Sequence, residues 1–209
     1  IDYLNEHAPE GLFRFEIGIQ STYELTNKLV KRRQNFDKLT TNILRIKQGG
    51  KIVLHLDLIA GLPEEPYDRF EQSFNDVFAL RPEELQLGFL KMLRGTGLRK
   101  QADEFGYVYD EFAPYEMKRN DKLSESDVEK IHLAEEILER YWNAHRMDYT
   151  MKFLVDNDFK TSPFDFMYRF GVYWNERYPW IRYQLSDLFT RLYDFLESID
   201  YNQMPTILS

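Results

Sequence analysis

Gln20 and Asp57 lie toward the ends of two short alternating runs, 13–20 and 52–60, Gln20 ending its Gly-Ile-Gln string and Asp57 beginning an Asp-Leu-Ile string. Set side by side at the ends of neighbouring parallel strands, an amide and a carboxylate can grip a ribose diol, because the amide both donates and accepts while the carboxylate accepts. The same residue types also serve simply to cap strand ends. Glu16, His55, Gln86 and Lys91 are further polar side chains of these strands, placed to line the substrate side of a cavity. For His55 a hydrogen-bonded interior histidine is the plainer role, and Lys91 has the alternative of a salt bridge to Asp57 or Glu16. Metal ligation finds little support: His132 and His145 lack HxxxH spacing, His7 and His55 stand alone, and there is no cysteine. Neither a phosphate-binding glycine loop nor a GxSxG nucleophile is present.

The elements that must position these groups follow from periodicity. In 13–20, Phe13, Phe15, Ile17 and Ile19 alternate with Arg14, Glu16, Gly18 and Gln20; in 52–60, Leu54, Leu56 and Leu58 alternate with Val53, His55, Asp57 and Ile59. Period two predicts strands. A third strand is expected over 85–92. Between them lie helices over 24–48, with Leu25, Leu29, Phe36, Leu39, Ile43, Leu44 and Ile46 as the apolar face, and over 67–79. Gly49-Gly50 and Arg81-Pro82 end these helices. Such a βαβαβ run predicts a parallel sheet with its ligand at the carboxyl ends of the strands. Both faces of an ordinary parallel sheet are apolar; polar residues on one face here predict a cavity.

Residues 101–123, rich in Tyr, Asp, Glu and Pro, are expected to wrap over the sheet. Helices follow at 125–145, opened by a Ser124/Asp127 capping box, and at 147–157, 163–178 and 184–199. Tyr141, Trp142, Phe153, Phe164, Phe166, Tyr168, Phe170, Tyr173, Trp174, Phe189, Tyr193 and Phe195 are spaced as packing faces. Net charge is −1 over 1–104 and −7 over 105–209. The acidic second half argues against nucleic acid, whose phosphates require clustered Lys and Arg. No apolar run approaches the ~20 residues of a membrane span, and a cytoplasmic location is the default.

The strings Phe15-Glu16-Ile17-Gly18-Ile19-Gln20-Ser21, Leu56-Asp57-Leu58-Ile59-Ala60-Gly61-Leu62-Pro63-Glu64 and Leu85-Gln86-Leu87-Gly88-Phe89-Leu90-Lys91 with Gly95-Thr96 resemble the last three strands of the radical S-adenosylmethionine (SAM) enzymes. The nearest flavour is the subgroup with an upstream cobalamin-binding domain, often called anaerobic magnesium-protoporphyrin IX monomethyl ester cyclase-like. The resemblance implies an α/β fold: the C-terminal half of a partial (β/α)6 barrel over 1–100, a connecting segment over 101–123, and an all-α C-terminal domain over 124–209. It implies SAM as cofactor, with Gln20 and Asp57 on its ribose and methionyl part. Arg32, twelve residues after Gln20 and three helical turns along, would pair with the SAM carboxylate, although Lys31-Arg32-Arg33 also reads as a solvated basic cluster. Ile59, Gly61 and Glu64 would form the adenine-contacting string, glycine allowing close backbone approach.

The resemblance further implies a [4Fe–4S] cluster, and cobalamin in the subgroup. Cluster iron needs thiolates, and this chain has no cysteine. The expectation is therefore a C-terminal fragment, inactive alone, of an oxidoreductase that generates a 5′-deoxyadenosyl radical to abstract hydrogen from an unknown small molecule. A non-catalytic interaction module with an acidic helical bundle is the alternative. Half a barrel would leave the first strand with a free edge, expected either to mediate a homodimer or to be covered by 101–123.

Overall fold

The computed structural model describes residues 1–179 and 182–201, which form two compact units, the first over 1–129 and the second made of the described residues from 130 onward. The first contains, in order, α1 (Asp2–His7), β1 (Phe13–Gln20), α2 (Glu24–Leu29), α3 (Phe36–Gly49), β2 (Ile52–Ala60), α4 (Tyr67–Phe78), β3 (Glu84–Phe89), α5 (Gly97–Lys100), β4 (Val108–Tyr109) and β5 (Met117–Arg119). β1, β2 and β3 form a parallel sheet in that order, as strands joined by helical crossovers must. Along β2, buried and half-buried residues alternate without a break. Leu54, Leu56, Leu58 and Ala60 are buried, as are Ile43 and Ile46 of α3 and Phe70, Phe74, Val77 and Phe78 of α4. Val53, His55, Asp57 and Ile59 look the other way, only half covered.

The helix expected over 24–48 is two helices. The chain leaves α2 at Val30, takes a left-handed turn at Lys31 (φ 58°) and restarts at Asn35, whose side chain accepts from Lys38 N at 2.8 Å. The expected apolar face is split with it: Ile43 and Ile46 are buried, whereas Leu25, Leu29 and Leu44 are exposed. The third strand stops at Phe89, so Lys91 lies beyond it, bridged to Glu116. Residues 101–123 include the antiparallel pair β4–β5. Their backbone bonds, Met92 N to Tyr115 O at 2.8 Å and Met117 N to Leu90 O at 2.9 Å, lie on the β3 side. The covering of β1 by this segment is therefore not seen.

Unit division falls within α6 (Glu125–Ile137), at 129/130. Ser124 and Asp127 exchange the two bonds of a capping box at its start, each at 3.2 Å. The expected helix over 125–145 does not continue as one: α6 passes into a π-helix, Leu138–Asn143. α7 (Asp148–Asp156), α8 (Pro163–Arg177) and α9 (Leu185–Ser198) follow. In this unit Phe170 stacks on Phe195 with ring centroids 4.6 Å apart, and Tyr141 donates to Leu188 O at 2.9 Å. Arg191, buried, lies 4.4 Å from the ring centroids of both Trp174 and Tyr178. Phe189 and Tyr193 depart from the expected packing face: both are exposed, Phe189 at 55%, because α9 turns its Leu188, Leu192, Phe195 and Leu196 inward.

Candidate functional site

Strand register assembles a polar face. Glu16 stands opposite His55 and His55 opposite Glu84; Gly18 stands opposite Asp57 and Asp57 opposite Gln86. Residues paired across parallel strands share a face, so Arg14, Glu16, His55, Asp57, Glu84 and Gln86 form one surface. Arg14 grips Glu84 with both guanidinium nitrogens, at 2.6 and 3.1 Å, and also meets His55 Nδ1. A guanidinium has no lone pair to offer. His55 Nδ1 is therefore the acceptor, and the proton of the neutral ring sits on Nε2, 3.2 Å from Asp57 Oδ1. The two atoms are misaligned for a hydrogen bond; both are buried and have no hydrogen-bond partner.

Asp57's carboxyl is held above its ordinary range, chiefly by burial; positive charge on His55, when the ring is protonated, opposes this, and the charge of Glu16 adds to it. A raised carboxyl binds its proton more tightly in the folded state. Its stabilising contribution is thus full below the unfolded value, about 4, and is lost as pH rises through the folded value. Asp57→Asn is expected to raise the melting temperature at pH 7 by a few degrees, on a scale of about 2–4 °C per kcal/mol. Melts repeated below about pH 4 should show the gain gone; an equal offset at both pH values would contradict this account.

Arg32 is not on a helix. It stands in the break between α2 and α3, where its Nε donates to Gln34 Oε1 at 3.0 Å and its Nη2 donates to Gly18 O. A Cβ on Gly18 would lie 3.7 Å from Asp57 Oδ2 and 3.9 Å from Arg32 Nη2. Guanidinium and carboxylate thus flank one bare Cα. Gln20 closes β1 after a register shift that sets it opposite Leu58, and it takes a left-handed φ of 66°. It leaves the Arg14–Glu16–Gly18 alternation at that point. Ile59 is half-buried on the same face as Asp57, opposite Gly88.

Gly61 (φ 89°) permits a close approach, and a protein side chain uses it. A Cβ there would fall 2.8 Å from Met117 Sδ, while Gly61 O accepts from Tyr107 Oη at 2.8 Å and Asn120 Nδ2 at 3.3 Å. Burial pushes the Tyr107 hydroxyl upward, so it stays a donor. Glu64, at φ 61°, pairs with Lys122 at 3.0 Å. Lys91 is exposed and pairs with neither Asp57 nor Glu16 among the described residues. The structure therefore sets Glu16, His55, Asp57 and Gln86 on one face of the sheet, with Arg32 beside Asp57 at Gly18 and with Gln20 and Ile59 toward the strand ends. Glu64 and Lys91 face other partners.

Residues that the sequence did not single out complete the site. Glu65 is fully buried and accepts from Ser21 Oγ at 2.6 Å and Ser73 Oγ at 2.7 Å. Thr22 Oγ1 donates to Ser73 Oγ and to Asp76 Oδ2, at 3.1 and 3.0 Å. A usable signal was the Glu64-Glu65 doublet after Pro63, though which glutamate turns inward depends on the backbone. Cavities of about 550 and 540 Å³ flank the segment 32–35. Among the described residues no three His, Asp or Glu side chains are grouped to hold a metal ion, and no helix is long and apolar enough to cross a membrane.

The first unit is thus an α/β domain with three parallel strands, one face of which is polar. Residues 103–209 match the family described as "Protein of unknown function (DUF4080)", and the chain belongs to that family. It is homologous to anaerobic coproporphyrinogen III oxidases. Identity is 25% over 131 residues with coproporphyrinogen III oxidase, anaerobic 1, of Cereibacter sphaeroides, covering 61% of this chain and 25% of that protein. With the oxygen-independent coproporphyrinogen III oxidase of Paracoccus denitrificans it is 30% over 80 residues, covering 38% and 18%. The Escherichia coli coproporphyrinogen III oxidase HemN, a radical SAM enzyme, superposes with a TM-score of 0.45 at 18% identity, over 59% of this chain and 26% of that one. The chain matches 18–26% of the length of these relatives.

Proposed function

We propose that residues 1–129 supply part of the SAM-holding wall of a radical SAM oxidoreductase acting on a small molecule. The observation that carries this is Arg32 and Asp57 flanking the bare Cα of Gly18 at the strand ends. An aminocarboxylate needs a guanidinium for its carboxylate and an acceptor for its ammonium or hydroxyl donors, and both stand here. Asp57 Oδ1 and His55 Nε2, buried without hydrogen-bond partners, are atoms that a ligand would satisfy. Gln20 would reach the ribose and Ile59 the adenine, with Gly61 and Glu64 shaping the turn behind it. Glu16 and Gln86, on the same face, would meet substrate; Lys91, past the strand end, would stand at its rim.

When bound beside a reduced [4Fe–4S] cluster, SAM supplies the radical that abstracts hydrogen. The thiolates for that cluster are not among these 209 residues, which contain no cysteine; in this reading they belong to another part of the intact enzyme, and this chain alone is inactive. The reaction class is carried over from the coproporphyrinogen oxidases and the substrate is not. Assignment to the cobalamin-binding, cyclase-like subgroup is part of the same proposal, checked by cobalamin content of the intact protein purified anaerobically. A cytoplasmic location follows from the same reading, checked by fractionation.

Calorimetric titration of the chain with SAM tests the site. Arg32→Ala and Asp57→Ala should each weaken binding about tenfold or more, the worth of a charge-assisted hydrogen bond. Equal affinity in wild type and both variants would sink the SAM reading in favour of an interaction module. The outer edge of β1 is proposed to pair with a second strand, giving a homodimer of the isolated chain. Sedimentation should show mass rising with concentration; a monomer throughout would refute the pairing.

A further inference from the structure

We propose that Glu65 is a positioning residue, which sets Arg32 and the turn bearing Gln20 at the mouth of the sheet through a continuous line of hydrogen bonds. The inference rests on the proposed SAM site for its purpose, but its geometry stands alone. Glu65 Oε1 accepts from Ser73 Oγ on α4 and from Ser21 Oγ just after β1. Ser21 Oγ in turn accepts from Tyr23 N at 2.9 Å, so the carboxylate fixes the backbone of the turn after Gln20. The Ser21 carbonyl then accepts from Asn27 Nδ2 at 2.9 Å and Gln34 Nε2 at 3.2 Å. Gln34 Oε1 takes the Arg32 Nε proton at 3.0 Å, leaving Nη2 for Gly18 O.

The line runs through α4, the β2–α4 turn, the β1–α2 turn and the break before α3, with Asn27 of α2 joining it at the Ser21 carbonyl. A full-length arginine in a loop would otherwise sample many rotamers at a substantial entropic cost. Here the amide of Gln34 fixes the guanidinium, and Glu65 fixes the turn that fixes Gln34. Glu65 Oε2 has no hydrogen-bond partner, and burial pushes the carboxyl upward against the two serine bonds. A site kept in so costly a state serves the geometry of its neighbours rather than local stability.

Hydrogen exchange of the Arg32 Nε–H, followed by ¹⁵N NMR on the 209-residue chain, reads the line directly. Glu65→Ala should speed that exchange about tenfold, the effect of one lost buried bond. Glu65→Gln should restore it, since an amide oxygen still accepts from both serines. Unchanged exchange in a folded Glu65→Ala overturns the inference. Should that variant fail to fold, Ser21→Ala, which keeps the Glu65–Ser73 bond, must show the same acceleration, and its failure to do so is equally decisive. Titration with SAM separates the two readings: a wild type that binds none refutes the cofactor site, while the exchange result alone decides the positioning role.

Discussion

Gly171→Ala is expected to unfold the second unit at temperatures the wild type tolerates. α8 crosses Leu133 so closely at Gly171 that an added Cβ would stand 2.3 Å from the Leu133 carbonyl oxygen and 2.7 Å from its carbon. Both are backbone atoms of a helix, so no side-chain rotation relieves the clash. The helices must separate, and the aromatic cluster they share opens with them: Phe170 lies 5.1 Å from Tyr141 and 4.6 Å from Phe195, ring centre to ring centre. Forced overpacking of this kind costs about 3 kcal/mol or more. For a unit of this size that is a fall of roughly 12 °C or more in melting temperature. Circular dichroism melts decide it, and a variant melting within a few degrees of wild type would show that the helices are not in such contact.

Phe74→Ala should damage the first unit comparably. Phe74 is fully buried on α4 and stacks on Phe78 with centroids 5.6 Å apart and planes 10° from parallel. Deleting a buried ring costs about 3–5 kcal/mol, through lost transfer energy and the cavity left behind. Phe74→Leu, which keeps most of the volume, should recover a large part of it. The damage reaches the turn after β1 because α4 also carries Ser73 and Asp76, which bind Thr22, and Ser73 donates to Glu65, the acceptor of the Ser21 hydroxyl. Denaturant titration measures the loss. A midpoint unchanged within error would mean that α4 is not seated on the sheet through this ring.

What was legible in the sequence was whatever repeats locally. The alternation in 13–20 and 52–60 placed Leu54, Leu56 and Leu58 inward and His55 and Asp57 on the open face, as the structure has them. Ser124 and Asp127 announced their own cap. What was not legible depends on distant partners or on a single dihedral. The break at 30–35 arises where Lys31, not a glycine, turns left-handed and Arg32 reaches back fourteen residues to Gly18; propensity alone carries the helix straight through. Glu64 and Glu65 are identical in type, and a positive φ at the first sends it to Lys122 and its neighbour to the interior. Phe189 and Phe195 likewise differ only in which side of α9 the fold covers.

The π-helix of Leu138–Asn143 bears on how the family's sequences should line up. Bonds that skip from i to i+5 close a ring one residue larger than those of α6, so side chains within this last stretch of the helix, which ends at Ala144, are turned by up to about 100° from their places in an unbroken helix. Tyr141, buried within it, occupies its place because of that surplus residue. A relative with a one-residue deletion between 138 and 143 would regain a regular helix and present a different side chain at the Tyr141 position. Where a relative carries a single-residue gap in this stretch, the aromatic identity at the Tyr141 position should change with the gap.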